Sequence, residues 1–124
     1  MLKPSQGEKG VIDFIVKVID EAGPNACPPL FVGVGIGGTA DKAMVMAKKA
    51  LLRKPGVRSN NIIDAKVESS VIKKANNLGI GPAGLGGSTT VLDVFVESYP
   101  THIAGLPVAV NICCHSLRHR ERIL

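Results

Sequence analysis

Leu30-Phe31-Val32-Gly33-Val34-Gly35-Ile36-Gly37-Gly38-Thr39 is the stretch that decides the fold. Its first seven residues follow Pro28-Pro29 and read as a short buried strand. Gly37-Gly38-Thr39 then turns into a helix with Ala43, Met46, Ala47, Ala50 and Leu51 on its buried face, ended by Pro55-Gly56. Upstream, Ser5-Gln6-Gly7-Glu8 reads as a capping box, with Ser5 as N-cap and Glu8 reaching back. Val11, Phe14, Ile15, Val18, Ile19 and Ala22 follow at helical spacing until Gly23-Pro24 stops the helix. Downstream, a third helix is predicted from about Ile62 to Asn77. Ile63, Val67, Val71, Ala75 and Leu78 line one side of it, and Gly79 stands at its C-terminal cap. A glycine-rich loop from Gly79 to Gly87 precedes Thr89 to Ser98, which alternates: Leu92, Val94 and Val96 face one way, Asp93 and Glu97 the other. Leu106 to Ile112 is a further apolar strand with Pro107 at its start. The basic tail from Ser116 is a candidate helix. Helix and strand interleave without a repeat or an internal boundary. Residues 1–124 are therefore expected to form a single mixed domain of the α/β (or α+β) class, with roughly three helices and three strands.

The chain is long enough, at 124 residues and 13.0 kDa, for one domain with a real core. Aromatics make up 3% and Trp is absent, so that core is aliphatic, closed by Ala and Gly. Fifteen basic against ten acidic side chains leave a charge of +5, which suits nucleic acid, an acidic partner or a small anion. Nucleic acid is disfavoured, because Phe14, Phe31, Phe95 and Tyr99 are not interleaved with Arg or Lys. Asp13 and Lys17 interrupt the first apolar run, and no stretch approaches the ~20 apolar residues of a membrane span. No signal peptide is visible, so neither a membrane nor an exported setting is expected. Three cysteines in such a chain point to the cytoplasm and away from structural disulfides. Cys113 and Cys114, being neighbours, could bridge only under strain.

Gly33-Val34-Gly35-Ile36-Gly37-Gly38 fits the G-x-G-x-x-G dinucleotide pattern between a strand and a helix. The acidic residue expected about 20 positions on is missing, since that region is Arg53-Lys54-Pro55-Gly56-Val57-Arg58. Two readings of the turn stay open. Its amides, with Thr39, could bind an anion at a helix start, or the glycines could only permit close strand–helix packing. Cys27 has two readings as well. Pro28 restricts it to an extended conformation that would hold a thiolate still at the mouth of a strand, yet a free Cys is most often a small buried hydrophobe. His102 follows Tyr99-Pro100-Thr101, as a surface-loop histidine would.

Several blocks resemble one family. Cys27-Pro28-Pro29, the segment Val32 to Thr39, and Ala47-Lys48-Lys49-Ala50-Leu51-Leu52-Arg53 look like the iron–sulfur hydro-lyases of the class I fumarase and tartrate dehydratase type. Gly79-Ile80-Gly81-Pro82, Gly84-Leu85-Gly86-Gly87, Thr89-Thr90, His102-Ile103-Ala104, the segment Leu106 to Asn111, and Cys114-His115 continue the match in order. Ser88 departs from a commonly basic position.

The resemblance implies the C-terminal part of an alpha subunit or region, working with an upstream alpha region, a beta subunit or domain, and a dicarboxylate: fumarate and malate, or tartrate. It implies an oxygen-sensitive 4Fe-4S cluster held by three cysteines, its open iron acting as Lewis acid. Cys27 and Cys114 match two cluster ligands, the third lying outside this chain, and His102 matches a substrate-contacting histidine. Cys113 is read as a bystander, and His115 and His119 as parts of a basic tail. The isolated chain is expected to be inactive and to self-associate as a homo-oligomer through surface its partners would cover. The readings from other classes are a non-enzymatic glycine-loop module binding an anion or nucleotide, and a structural subdomain whose site has decayed.

Overall fold

The apolar run beginning at Leu30 is the central strand of the molecule. In the computed structural model, which describes residues 1–124, β1 (Leu30–Gly37) lies between β2 (Val91–Tyr99) and β3 (Val108–Cys113). β1 and β2 are parallel, with Val32 opposite Val94, whereas β1 and β3 are antiparallel, with Phe31 opposite Cys113. Three helices complete the fold: α1 (Gly7–Ala22), α2 (Ala40–Ala50) and α3 (Ile62–Asn76). The α/β class and the three-plus-three content agree with the sequence. No helix is long and apolar enough to cross a membrane.

A strand covered on both faces needs a different surface on each. Leu30, Val32 and Val34 join Val91, Val94 and Val96 against Ile15 and Ile19 of α1 and Val67, Val71 and Ala75 of α3. Alternation puts Phe31, Gly33 and Gly35 beneath α2. A Cβ on Gly33 would lie 2.1 Å from the Ala47 carbonyl oxygen, and one on Gly35 2.0 Å from that of Ala43. Only glycine lets the α2 backbone lie this close. Phe31 and Phe95 stack beyond it, 6.4 Å between ring centroids, beside Ala50 and Leu51.

The structure corrects several local expectations. Ser5 does not cap α1. A 3₁₀ turn, Pro4–Gln6, precedes the helix, and the Gln6 side chain accepts the Lys3 amide at 2.8 Å. The second helix ends at Ala50, five residues before Pro55, and Arg53 turns inward to charged partners. In β2, Leu92 is 46% exposed and Asp93 only 4%, the reverse of the predicted alternation. The ladder slips between Leu30 and Phe31, which pair with Val91 and Asp93, so Leu92 is the extra residue of a bulge. The third strand runs from Val108, while Leu106 bridges to Leu2. Residues 116–124 form no helix.

Candidate functional site

β1 begins where β3 ends. With Phe31 opposite Cys113, Cys114 one residue beyond β3 and Cys27 three before β1 leave the sheet at the same end. The His115 ring joins them, its Nδ1 lying 3.2 Å from the Cys27 carbonyl oxygen. All three thiols are free; Cys27 is exposed and the other two half-buried. Cys113 packs against the Phe31–Phe95 cluster under α2.

Cys27 is left-handed (φ 56°, ψ 62°) and not extended as the following proline suggested. It caps a 3₁₀ turn, Gly23–Ala26, its amide donating to the Pro24 carbonyl at 3.3 Å. The glycine-rich loop braces this segment. Ala83 N–H donates to the Pro28 carbonyl at 2.9 Å, and Gly81 N–H to the Oγ1 of fully buried Thr90 at 3.2 Å.

His102 stands at the opposite end, where the carboxyl ends of parallel β1 and β2 lie side by side. That is the usual place for a ligand crevice in an α/β sheet. Thr101 Oγ1 donates to the Gly38 carbonyl at 2.9 Å and holds the loop there. His102 is exposed, and its Nδ1 accepts the Ala104 N–H at 3.1 Å. The neutral ring therefore carries its proton on Nε2. The side chain separates two clefts. One, of about 490 Å³, is lined by Glu8, Asn61, Asp64, Ser98 and Leu106 among others; the second, of about 540 Å³, by Thr39, Asp41, Lys42 and Tyr99. From Phe31 to Ile36, β1 covers about 17 Å at the usual strand rise, so His102 and the two cysteines do not share a cleft within this chain.

Asp64 is a group that sequence reading missed. Only 5% exposed, it accepts the Ser98 hydroxyl at 2.9 Å. Burial pushes its carboxyl above the ordinary value; the Ser98 hydrogen bond opposes this, and Glu97 and Glu68 add to it. The available signal was Asn61 three residues earlier, whose side chain accepts the Ile63 and Asp64 amides as a helix N-cap. It marks the helix start but not the burial. At the start of α2, the neighbouring Thr39 hydroxyl and the first amides of the helix hold the Asp41 carboxyl below its usual value. Gly33 and Gly35 serve packing, and the Gly37 and Gly38 amides already donate to the Pro107 and Pro100 carbonyls at 2.8 and 3.2 Å, so the turn offers an anion few free donors.

Residues 1–123 match the fumarate hydratase (Fumerase) family. The chain belongs to the fumarate hydratase family. It is 52% identical over 114 residues to a protein of Methanocaldococcus jannaschii provisionally named L(+)-tartrate dehydratase subunit alpha, covering 92% of this chain and 40% of that protein. The L(+)-tartrate dehydratase subunit alpha of Escherichia coli K12 is 41% identical over 118 residues, covering 95% of this chain and 39% of its own length. The chain thus spans about two fifths of the curated relatives it matches. In this fumarate hydratase family member no three His, Cys, Asp or Glu side chains converge as a metal-binding group. Two free thiols at one end of the sheet have the donor chemistry of two corners of an iron–sulfur cluster.

Proposed function

We propose that this chain is part of an iron–sulfur hydro-lyase that adds water reversibly across fumarate or removes it from tartrate, with Cys27 and Cys114 among its three cluster ligands. The reading is carried by one observation in a fumarate hydratase family chain: Cys27 and Cys114 leave the sheet at the same end, tied by His115. When bound, a 4Fe-4S cluster with three protein ligands supplies an open iron, a Lewis acid for the substrate hydroxyl and carboxylate.

This chain contributes two thiolates held on opposite sides of the β1–β3 junction. His102, with Nε2–H outward, donates to a substrate carboxylate. Its distance from the cysteine end sets a condition: the cluster whose substrate His102 meets is not the one held by Cys27 and Cys114 of the same chain, so protein outside these 124 residues completes the crevice at His102. The relatives are named as alpha subunits, and by extension a beta subunit or domain and an upstream alpha region supply the third cysteine, the base and further carboxylate contacts. Exposed Met44 and Val45 on α2, with Leu52 in the turn just after it, offer apolar surface for such assembly or for self-association. Free thiols suit a cytoplasmic enzyme.

The test is anaerobic iron–sulfide reconstitution with the upstream region and beta partner, followed by electron spin resonance and by hydration assays on fumarate and tartrate. A cluster signal with turnover is expected. Absence of a cluster in every combination rejects the reading.

A further inference from the structure

We infer that His115 is a positioning residue for the cysteine end: its ring locks the Cys27 loop to the strand end that carries Cys114. The importance of this lock rests on the cluster reading above; the lock itself does not.

The contact pairs a ring nitrogen with a carbonyl, so Nδ1 carries the proton and donates to the Cys27 oxygen at 3.2 Å. Cys27 holds a backbone conformation that is unfavourable for a residue with a side chain, so its surroundings must hold it there. Two of its restraints are internal to that side of the molecule: its own amide on Pro24, and Ala83 on the Pro28 carbonyl. His115 supplies the hydrogen bond from the far side, 88 residues away in the chain. It also follows Cys114 directly. One side chain therefore fixes the carbonyl of one cysteine and the backbone leaving the other. β3 is an edge strand, half-buried along its whole length, and its ladder to β1 reaches only to Cys113. Beyond that point the His115 bond governs how Cys114 sits against Cys27.

The experiment uses the full chain, reduced and metal-free, in a Cys113→Ser background. A short bifunctional methanethiosulfonate probes bridging of Cys27 to Cys114, read by intact mass and peptide mapping. The parent is expected to bridge. His115→Ala should slow bridging about five-fold, as for the loss of one hydrogen bond, with the thermal midpoint and single-site alkylation of each cysteine unchanged. His115→Asn, whose amide can donate to the same carbonyl, should restore the rate. Equal rates in parent and His115→Ala, or a parent that does not bridge, overturn the inference. So does a joint loss of bridging and thermal stability in both variants, which would assign His115 a general structural role. Intact His115-dependent bridging without a cluster in the complete assembly supports the lock while rejecting the hydro-lyase reading.

Discussion

Arg53 donates from Nη2 to the Val96 carbonyl oxygen at 2.7 Å and so stands where a fourth strand would pair. Other side chains continue the substitute ladder along the outer edge of β2. Arg58 donates to the Val94 carbonyl at 3.1 Å, Glu68 accepts the Val96 N–H at 2.9 Å, and Asn76 accepts the Thr90 and Val91 amides at 2.9 Å each. Unpaired strand edges invite pairing with other chains; here charged groups close the edge. Glu68, fully buried, is matched by both Arg53 and Arg58, and Asp93 by Arg58.

Removing one member of such a network leaves a buried charge short of partners. Arg53→Met is expected to lower stability by about 3 kcal/mol. Glu68→Gln should lower it less, because Arg53 keeps Glu97 and Arg58 keeps Asp93. Urea unfolding of the two variants checks the order, and an equal loss would contradict it.

Gly35→Ala places a methyl group against the α2 backbone at Ala43. A helix backbone cannot step aside as a flexible side chain can. A loss of about 2 kcal/mol is expected, read as a lower denaturation midpoint, and a neutral outcome would mean that α2 is free to lift from β1.

Asp64 carries a raised carboxyl pKa in the fold, chiefly from burial. Between the unfolded value and that raised value the folded state binds more protons, so the Asp64 contribution to stability falls as pH rises through the window. Asp64→Asn abolishes this term and keeps an acceptor for Ser98. The stability of the variant relative to wild type should therefore be greater at neutral pH than in the acid range. Parallel unfolding curves at the two pH values measure it.

Cys113 packs under α2 with Phe31, whereas Cys27 and Cys114 leave the sheet together. On the proposed reading, Cys113→Ser leaves the reconstituted cluster signal intact, and Cys27→Ser or Cys114→Ser abolishes it. Spin resonance of the three reconstituted assemblies decides.

His102→Asn is expected to lower kcat/KM of the complete assembly by about a hundredfold. The exposed ring stabilises little of the fold, so the melting temperature should not move. Unchanged kinetics would remove His102 from the substrate site.

The elements were legible where local signals agree. An apolar run after two prolines, helical spacing from Val11, and glycines at helix ends gave β1, α1 and the approximate extents of α2 and α3. The illegible parts each depend on a distant contact. The bulge at Leu92 arises from register against Leu30 and Phe31, far away in the chain. The burial of Asp93 and Glu68 depends on Arg53 and Arg58 being brought over the β2 edge, and nothing local to either acid marks it. Cys27 departs from the conformation its proline favours because the Pro24 turn and the His115 ring hold it from two sides.

The sequence by itself determined the α/β class, the order of elements and the family resemblance, since these rest on hydrophobic period, turn residues and ordered motifs. Only the tertiary structure decided which of the marked residues meet. An antiparallel pairing of β1 with β3 puts Cys27 and Cys114 at the same end of the sheet, while the parallel pairing with β2 carries His102 to the other end. Strand direction is a property of how segments pair across the chain, and no local spacing encodes it.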